Sequence, residues 1–183
     1  PYLNYFTLPA NERYYDFVQG PVHFFVLNSD VREPDFTSST STQALWLQTQ
    51  LAASTSTWNV VIAPSPPYSS GAVHGSKVQY QWPYAQWGAD AVLSGDDHEY
   101  ERILRDGIVY FVDGTGGQAL YNFSATPVTG SVVRYNANYG ALRVVASNTS
   151  LDFEFYSIQG GGTLVDTYTL TAPHNTTTPT QST

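Results

Sequence analysis

The stretch Leu93-Ser94-Gly95-Asp96-Asp97-His98-Glu99-Tyr100-Glu101-Arg102 decides how this chain reads. It follows a short apolar segment ending at Val92-Leu93, so the polar run sits just past the end of a buried strand. Open sheets place their chemistry at such ends. Asp96 offers carboxylate oxygen to a hard cation, and His98 offers imidazole nitrogen to a transition metal. Asp97, Glu99 and Glu101 supply oxygen for a weak cation site. Glu99 and Glu101 also alternate along a possible strand, and the simpler expectation for them is a solvated face beside Arg102.

The surrounding segments give an α/β, β-rich chain. Val22 to Leu27 is a β-branched and aromatic run of strand length. Thr40 and Gln43 form a Thr-x-x-Gln capping box, and Ala44, Leu47 and Leu51 then fall on one helix face. Trp58 to Ala63 reads as a strand ended by Pro64, Pro66 and Pro67, which cannot continue a ladder. The loop from Tyr68 to Trp87 carries Tyr68, Tyr80, Trp82, Tyr84 and Trp87. These aromatics suit an interface or a substrate-side loop, with plain loop packing as the default. Ala89 to Ser94 is a further short strand.

The second half reads as mostly antiparallel. Ile103-Leu104, Asp106-Gly107 and Ile108 to Val112 predict a hairpin with an Asp-Gly turn. Leu142 to Ala146, Leu151 to Ile158 and Thr163 to Leu170 predict a C-terminal meander, with Leu151, Phe153 and Phe155 on one face. One domain over residues 1–170 and a Thr/Pro-rich tail or linker over 171–183 follow from length and composition.

Composition narrows the function classes. A net charge of −8 and the absence of a basic patch exclude nucleic acid as a partner. No cysteine is present, which removes disulfides and a thiolate nucleophile. No methionine is present either, so the chain is expected to be processed or part of a longer one. Charged residues are only 12%, with Lys77 the sole lysine, and sequons stand at Asn122, Asn148 and Asn175. Together these point to an extracellular or secreted glycoprotein. No apolar run approaches the ~20 residues that span a bilayer.

The Leu93–Arg102 stretch closely resembles the Gly-His-Asp-His-x-Tyr-Glu-Arg signature of the calcineurin-like metallophosphoesterases, in the acid-phosphatase branch. Asn59-Val60-Val61-Ile62-Ala63-Pro64-Ser65-Pro66-Pro67-Tyr68, followed by His74-Gly75, resembles a second block of that family. Leu8-Pro9-Ala10-Asn11-Glu12-Arg13-Tyr14-Tyr15-Asp16-Phe17, Gly20 to Leu27 and Tyr110 to Gly117 resemble others, in the family's order, across about residues 1 to 170. The resemblance implies the second half of a β-sandwich flanked by helices.

It also implies a dinuclear metal centre of Fe, Zn or Mn if the chain is active. In this family two metals sit roughly 3.5–4 Å apart around an attacking hydroxide. Several motifs depart from the pattern. Asp96 replaces the first signature histidine, and Pro64 stands where a lone histidine ligand is expected. The Asp-x-His, Gly-Asp-x-x-Asp and Gly-Asn-His blocks are absent. His98 and Asp96 remain as vestigial metal candidates. His74 remains as the vestigial catalytic candidate that would contact phosphate or protonate a leaving group.

Three functions fit this sequence. The first is a degenerate, non-catalytic phosphoesterase used as an extracellular, glycosylated, self-associating or filament-forming subunit, with no cofactor. The second is part of a metal-dependent phosphoric ester hydrolase whose other half lies elsewhere. The third is a phosphate- or sugar-binding module using His74 and His98. A half-sandwich also exposes a sheet edge and inner face. The expected cover is a separate N-terminal half or another copy of the chain.

Overall fold

The computed structural model describes residues 5–172. In chain order the elements are β1 (Tyr15–Gln19), β2 (Val22–Val26), α1 (Thr42–Ala53) and β3 (Trp58–Ile62). A 3₁₀ turn (Val78–Tyr80) and α2 (Tyr84–Trp87) follow, then β4 (Ala91–Ser94), β5 (Tyr100–Arg105), β6 (Ile108–Asp113) and β7 (Ser131–Tyr135). β8 (Gly140–Ala146), β9 (Ser150–Ser157) and β10 (Thr163–Thr171) complete the chain.

A seven-stranded sheet in the order β1-β2-β3-β4-β6-β5-β7 faces a three-stranded sheet in the order β10-β9-β8. Strands β2, β3, β4 and β6 run parallel. They are covered on both faces, which is why they read as apolar runs without alternation. The β5–β6 pair is the expected hairpin. Asp106 (φ 54°) and Gly107 (φ 89°) both adopt the left-handed backbone that its two-residue turn requires.

One face of the large sheet packs on α1 through Ala44, Leu47 and Leu51, with Phe25, Val61, Val92 and Ile103 opposite. The aromatic segment after β3 joins this cluster, and Tyr68, Tyr80, Trp82 and Tyr84 are buried in it. Of the three roles the sequence allowed, they perform packing. The other face packs on the small sheet. In β9 every second residue is buried, as the alternation predicts. Phe155 stacks on Tyr100 at 3.9 Å between ring centroids, and Phe153 meets Phe111 at 4.6 Å.

A buried ion pair bolts the two sheets together. The Arg102 guanidinium donates to both Asp166 oxygens at 2.7 and 3.0 Å, and the Tyr100 hydroxyl donates to Asp166 at 2.7 Å.

Several sequence expectations need correction. The N-cap of α1 is Ser41, whose hydroxyl accepts from the Ala44 amide at 3.2 Å, and not Thr40. Gln43 does not close a capping box. Its buried amide instead pairs with the backbone of Asn28, accepting from its N–H at 2.7 Å and donating to its C=O at 3.1 Å. Strands β1 and β7 are additional to those read from sequence. β10 continues through Thr171, one residue into the stretch read as tail. The rest of that tail, with the Asn175 sequon, lies outside the described residues.

Candidate functional site

The parallel strands end together, and three connections converge beyond them. The loop after β3 carries His74, the β4–β5 connection carries Asp96 and His98, and the segment after β6 carries Tyr121. His98 is held on two sides. Its Nδ1 donates to the Ala119 carbonyl at 2.8 Å, and its ring stacks on Tyr121 at 4.0 Å and 18°. That hydrogen bond places the proton on Nδ1 and leaves the Nε2 lone pair free. The Tyr121 amide in turn donates to the His98 carbonyl at 2.9 Å.

His74 stands 6.3 Å from His98 and 5.6 Å from Tyr121, ring centre to ring centre. Its Nε2 lies 4.0 Å from an Asp96 oxygen. Asp96 is exposed and has a left-handed backbone, φ 71°, which a short polar side chain tolerates. The fold therefore brings the three sequence candidates His74, Asp96 and His98 together. It adds Tyr121, which carries no sequence signal because stacking on a distant histidine depends on no local pattern.

Beneath this cluster lies a buried acidic row. Asp97, Glu99 and Glu101 point to the same face of the β5 segment and are all fully buried. The expectation of a solvated face is wrong, because the loop carrying His74 folds over these side chains. Asp97 accepts the His74 and Gly75 amides at 2.9 Å each, and the Ser69 hydroxyl at 2.6 Å. Glu101 accepts the Ser70 amide at 2.7 Å, its hydroxyl at 2.6 Å and the Ser131 hydroxyl at 2.5 Å. The carboxylates thus replace a strand partner for this loop's backbone donors.

Two glycines make the close packing possible. A Cβ on Gly71 would collide with the Asp97 carboxyl group, and one on Gly114 would collide with the Asp97 carbonyl.

Glu99 differs from its neighbours. One oxygen accepts from Ser69 at 3.2 Å, whereas Oε2 is buried without a partner. Burial first, then the Glu101 and Asp97 charges, raise its pKa to about 9. Burial and the two adjacent carboxylates thus favour the protonated form of Glu99 at neutral pH, against a smaller opposing pull from Arg134.

The donor set does not fit a dinuclear metal centre. Pro64, at the end of β3, offers no side-chain donor. Among the described residues no three His, Cys, Asp or Glu side chains are placed to hold a metal ion. Asp97 and Glu101 are committed to backbone and hydroxyl donors, Glu99 keeps one oxygen unpartnered, and His74, Asp96 and His98 form a loose, exposed group.

Comparison with known proteins places this architecture. No family model and no curated protein matches the sequence. Among solved structures, a purple acid phosphatase from yellow lupin (Lupinus luteus) seeds superposes with a TM-score of 0.78 at 19% identity. The superposition covers 92% of this chain and 35% of that one. GAP50, the anchor in the inner membrane complex of Plasmodium, gives 0.68 at 19% identity, covering 87% and 53%. PhoD gives 0.58 at 15% identity, covering 87% and 42%.

The chain has a calcineurin-like metallophosphoesterase fold. It spans between about a third and about half the length of these structures. No helix among the described residues is long and apolar enough to cross a membrane.

Proposed function

We propose that this chain is a non-catalytic metallophosphoesterase-fold protein serving as a structural subunit of an extracellular, glycosylated assembly. The observation that carries this reading is the donor set: His74, Asp96 and His98 stand together without making a metal-holding group, and Pro64 contributes no ligand. The buried acids nearby serve as anchors for a loop rather than as ligands. GAP50 supports the reading by analogy, because it is an anchor and has a similar fold. The exposed sequons Asn122 and Asn148 support the glycosylated state.

A second reading keeps one specific observation. His98 is tethered through Nδ1 with Nε2 free, an orientation that suits a metal ligand fixed by an outer hydrogen bond. On that reading the chain is part of an active phosphoesterase, and further polypeptide supplies the missing ligands.

Elemental analysis of the protein from its native source, with a phosphomonoester hydrolysis assay, tests both. The proposal expects no stoichiometric Fe, Zn or Mn, no hydrolysis, and a mass above that of the polypeptide by the glycans. Two metals per chain together with hydrolysis would overturn it in favour of the second reading.

A further inference from the structure

A second constellation of reactive side chains stands at the opposite end of the parallel strands from His74 and His98. β1 and β2 pair so that Asp16 lies opposite Phe25 and Val18 opposite His23. Cross-strand partners and alternate residues share a face, so all four side chains project from the side of the large sheet that packs on α1. Helix α1 ends on that side at its C-cap, Ser54.

Three polar groups form one chain of hydrogen bonds there. His23 Nε2 lies 2.7 Å from Asp16 Oδ2, and His23 Nδ1 lies 2.9 Å from the Ser54 hydroxyl. A carboxylate can only accept, so the Nε2 proton is the one shared with Asp16. In the neutral imidazole Nδ1 is then the acceptor, and the Ser54 hydroxyl donates to it. The ring packs against buried Phe25 at 4.1 Å between centroids, which restricts its orientation. Ser54 caps α1 through its amide, which donates to the Leu51 carbonyl at 3.2 Å, so the helix end makes no demand on the hydroxyl proton.

We propose that Ser54, His23 and Asp16 form a nucleophile, general base and positioning carboxylate that hydrolyse small carboxylic esters. Ser54 Oγ attacks the ester carbonyl carbon while its proton passes to His23 Nδ1. Asp16 keeps the Nε2 proton and faces the positive charge that appears on the ring. The tetrahedral intermediate expels the alcohol, which takes the proton from Nδ1, and the acyl group stays on Ser54. Water then attacks the acyl carbon, giving a proton to Nδ1; the carboxylic acid leaves as that proton returns to Ser54 Oγ.

The surroundings set the substrate class. The Ser56 amide lies 3.4 Å from Ser54 Oγ and is a main-chain donor beside the reacting oxygen. Val18, 59% exposed and opposite His23, offers apolar surface to a short acyl chain. Ser54 and Asp16 are half-buried, so the site lies at the surface. Such a site suits a small ester with a good leaving group, which asks little of oxyanion stabilisation.

A fluorophosphonate probe and p-nitrophenyl acetate test the proposal on the full chain. The probe should lose fluoride to Ser54 at least roughly tenfold faster than to any other serine, as read by peptide mass mapping. Ser54→Ala and His23→Gln should each lower ester turnover at least roughly a hundredfold, the range that a general base supplies. Asp16→Asn should lower kcat about tenfold or more with KM unchanged, because the amide selects the wrong tautomer. The chain has no cysteine, so Ser54→Cys introduces a single thiol. Iodoacetamide should alkylate it at least about tenfold faster than a free thiol at neutral pH, and the gain should vanish when His23→Gln is added. Labelling spread evenly over the serines, turnover unchanged in Ser54→Ala, or a thiol no more reactive than a free one would overturn the proposal. No metal and no phosphate ester enters these measurements, so their failure is distinct from failure of the non-catalytic phosphoesterase reading.

Discussion

Replacing Glu99 with glutamine tests the buried acidic row most directly. The carboxyl group titrates near 4.5 in the unfolded chain and near 9 when folded. Below about pH 4.5 both states hold the proton, and the contribution to stability is complete. Between the two values the unfolded chain gives up a proton that the folded protein keeps. Each pH unit then lowers the unfolding free energy by about 1.4 kcal/mol, and the loss ends once pH passes the folded value. Between pH 5 and pH 8 this one group should cost wild-type protein on the order of 3–4 kcal/mol.

Glutamine is nearly isosteric, accepts from Ser69 as glutamate does, and does not titrate. The Glu99→Gln variant should therefore match wild type near pH 4 and exceed it progressively towards pH 8. Urea unfolding followed by fluorescence of the four tryptophans, at several pH values, measures the difference. The difference between the two proteins removes the contribution of titrating groups remote from Glu99 and retains that of Asp97 and Glu101, which interact with it. A difference that stays constant with pH would refute the assignment of the proton to Glu99.

The bolt between the sheets gives a second prediction. Asp166→Asn should lower stability by about 3–5 kcal/mol by leaving Arg102 buried without its charge partner. The double change Arg102→Met with Asp166→Leu should recover much of that loss in the same unfolding assay. Gly71→Ala should cost about 1–3 kcal/mol, because the added methyl group displaces the Asp97 carboxyl group that holds the His74 loop. The imidazole resonances of His74 should shift in that variant, while those of His23, remote in the fold, should not.

What the chain could declare alone was whatever depends on local pattern. The parallel strands announced themselves as apolar runs. Asp106-Gly107 announced its turn, since only residues tolerant of positive φ serve there. Alternation along Leu151, Phe153 and Phe155 sorted one strand into its two faces. The want of a side-chain donor at Pro64 was also legible, because proline has none in any conformation.

Tertiary structure alone decided which faces were covered. Period two correctly grouped Glu99 and Glu101 on one side, but the loop from Ser69 to Ser76 that buries them, together with Asp97, lies more than twenty residues away. Their exposure was therefore open in the sequence, and with it the protonation of Glu99. Tyr121 was invisible for the same reason. A local pattern assigns a side chain to a face, whereas burial, charge state and free edges depend on what a distant segment brings to that face.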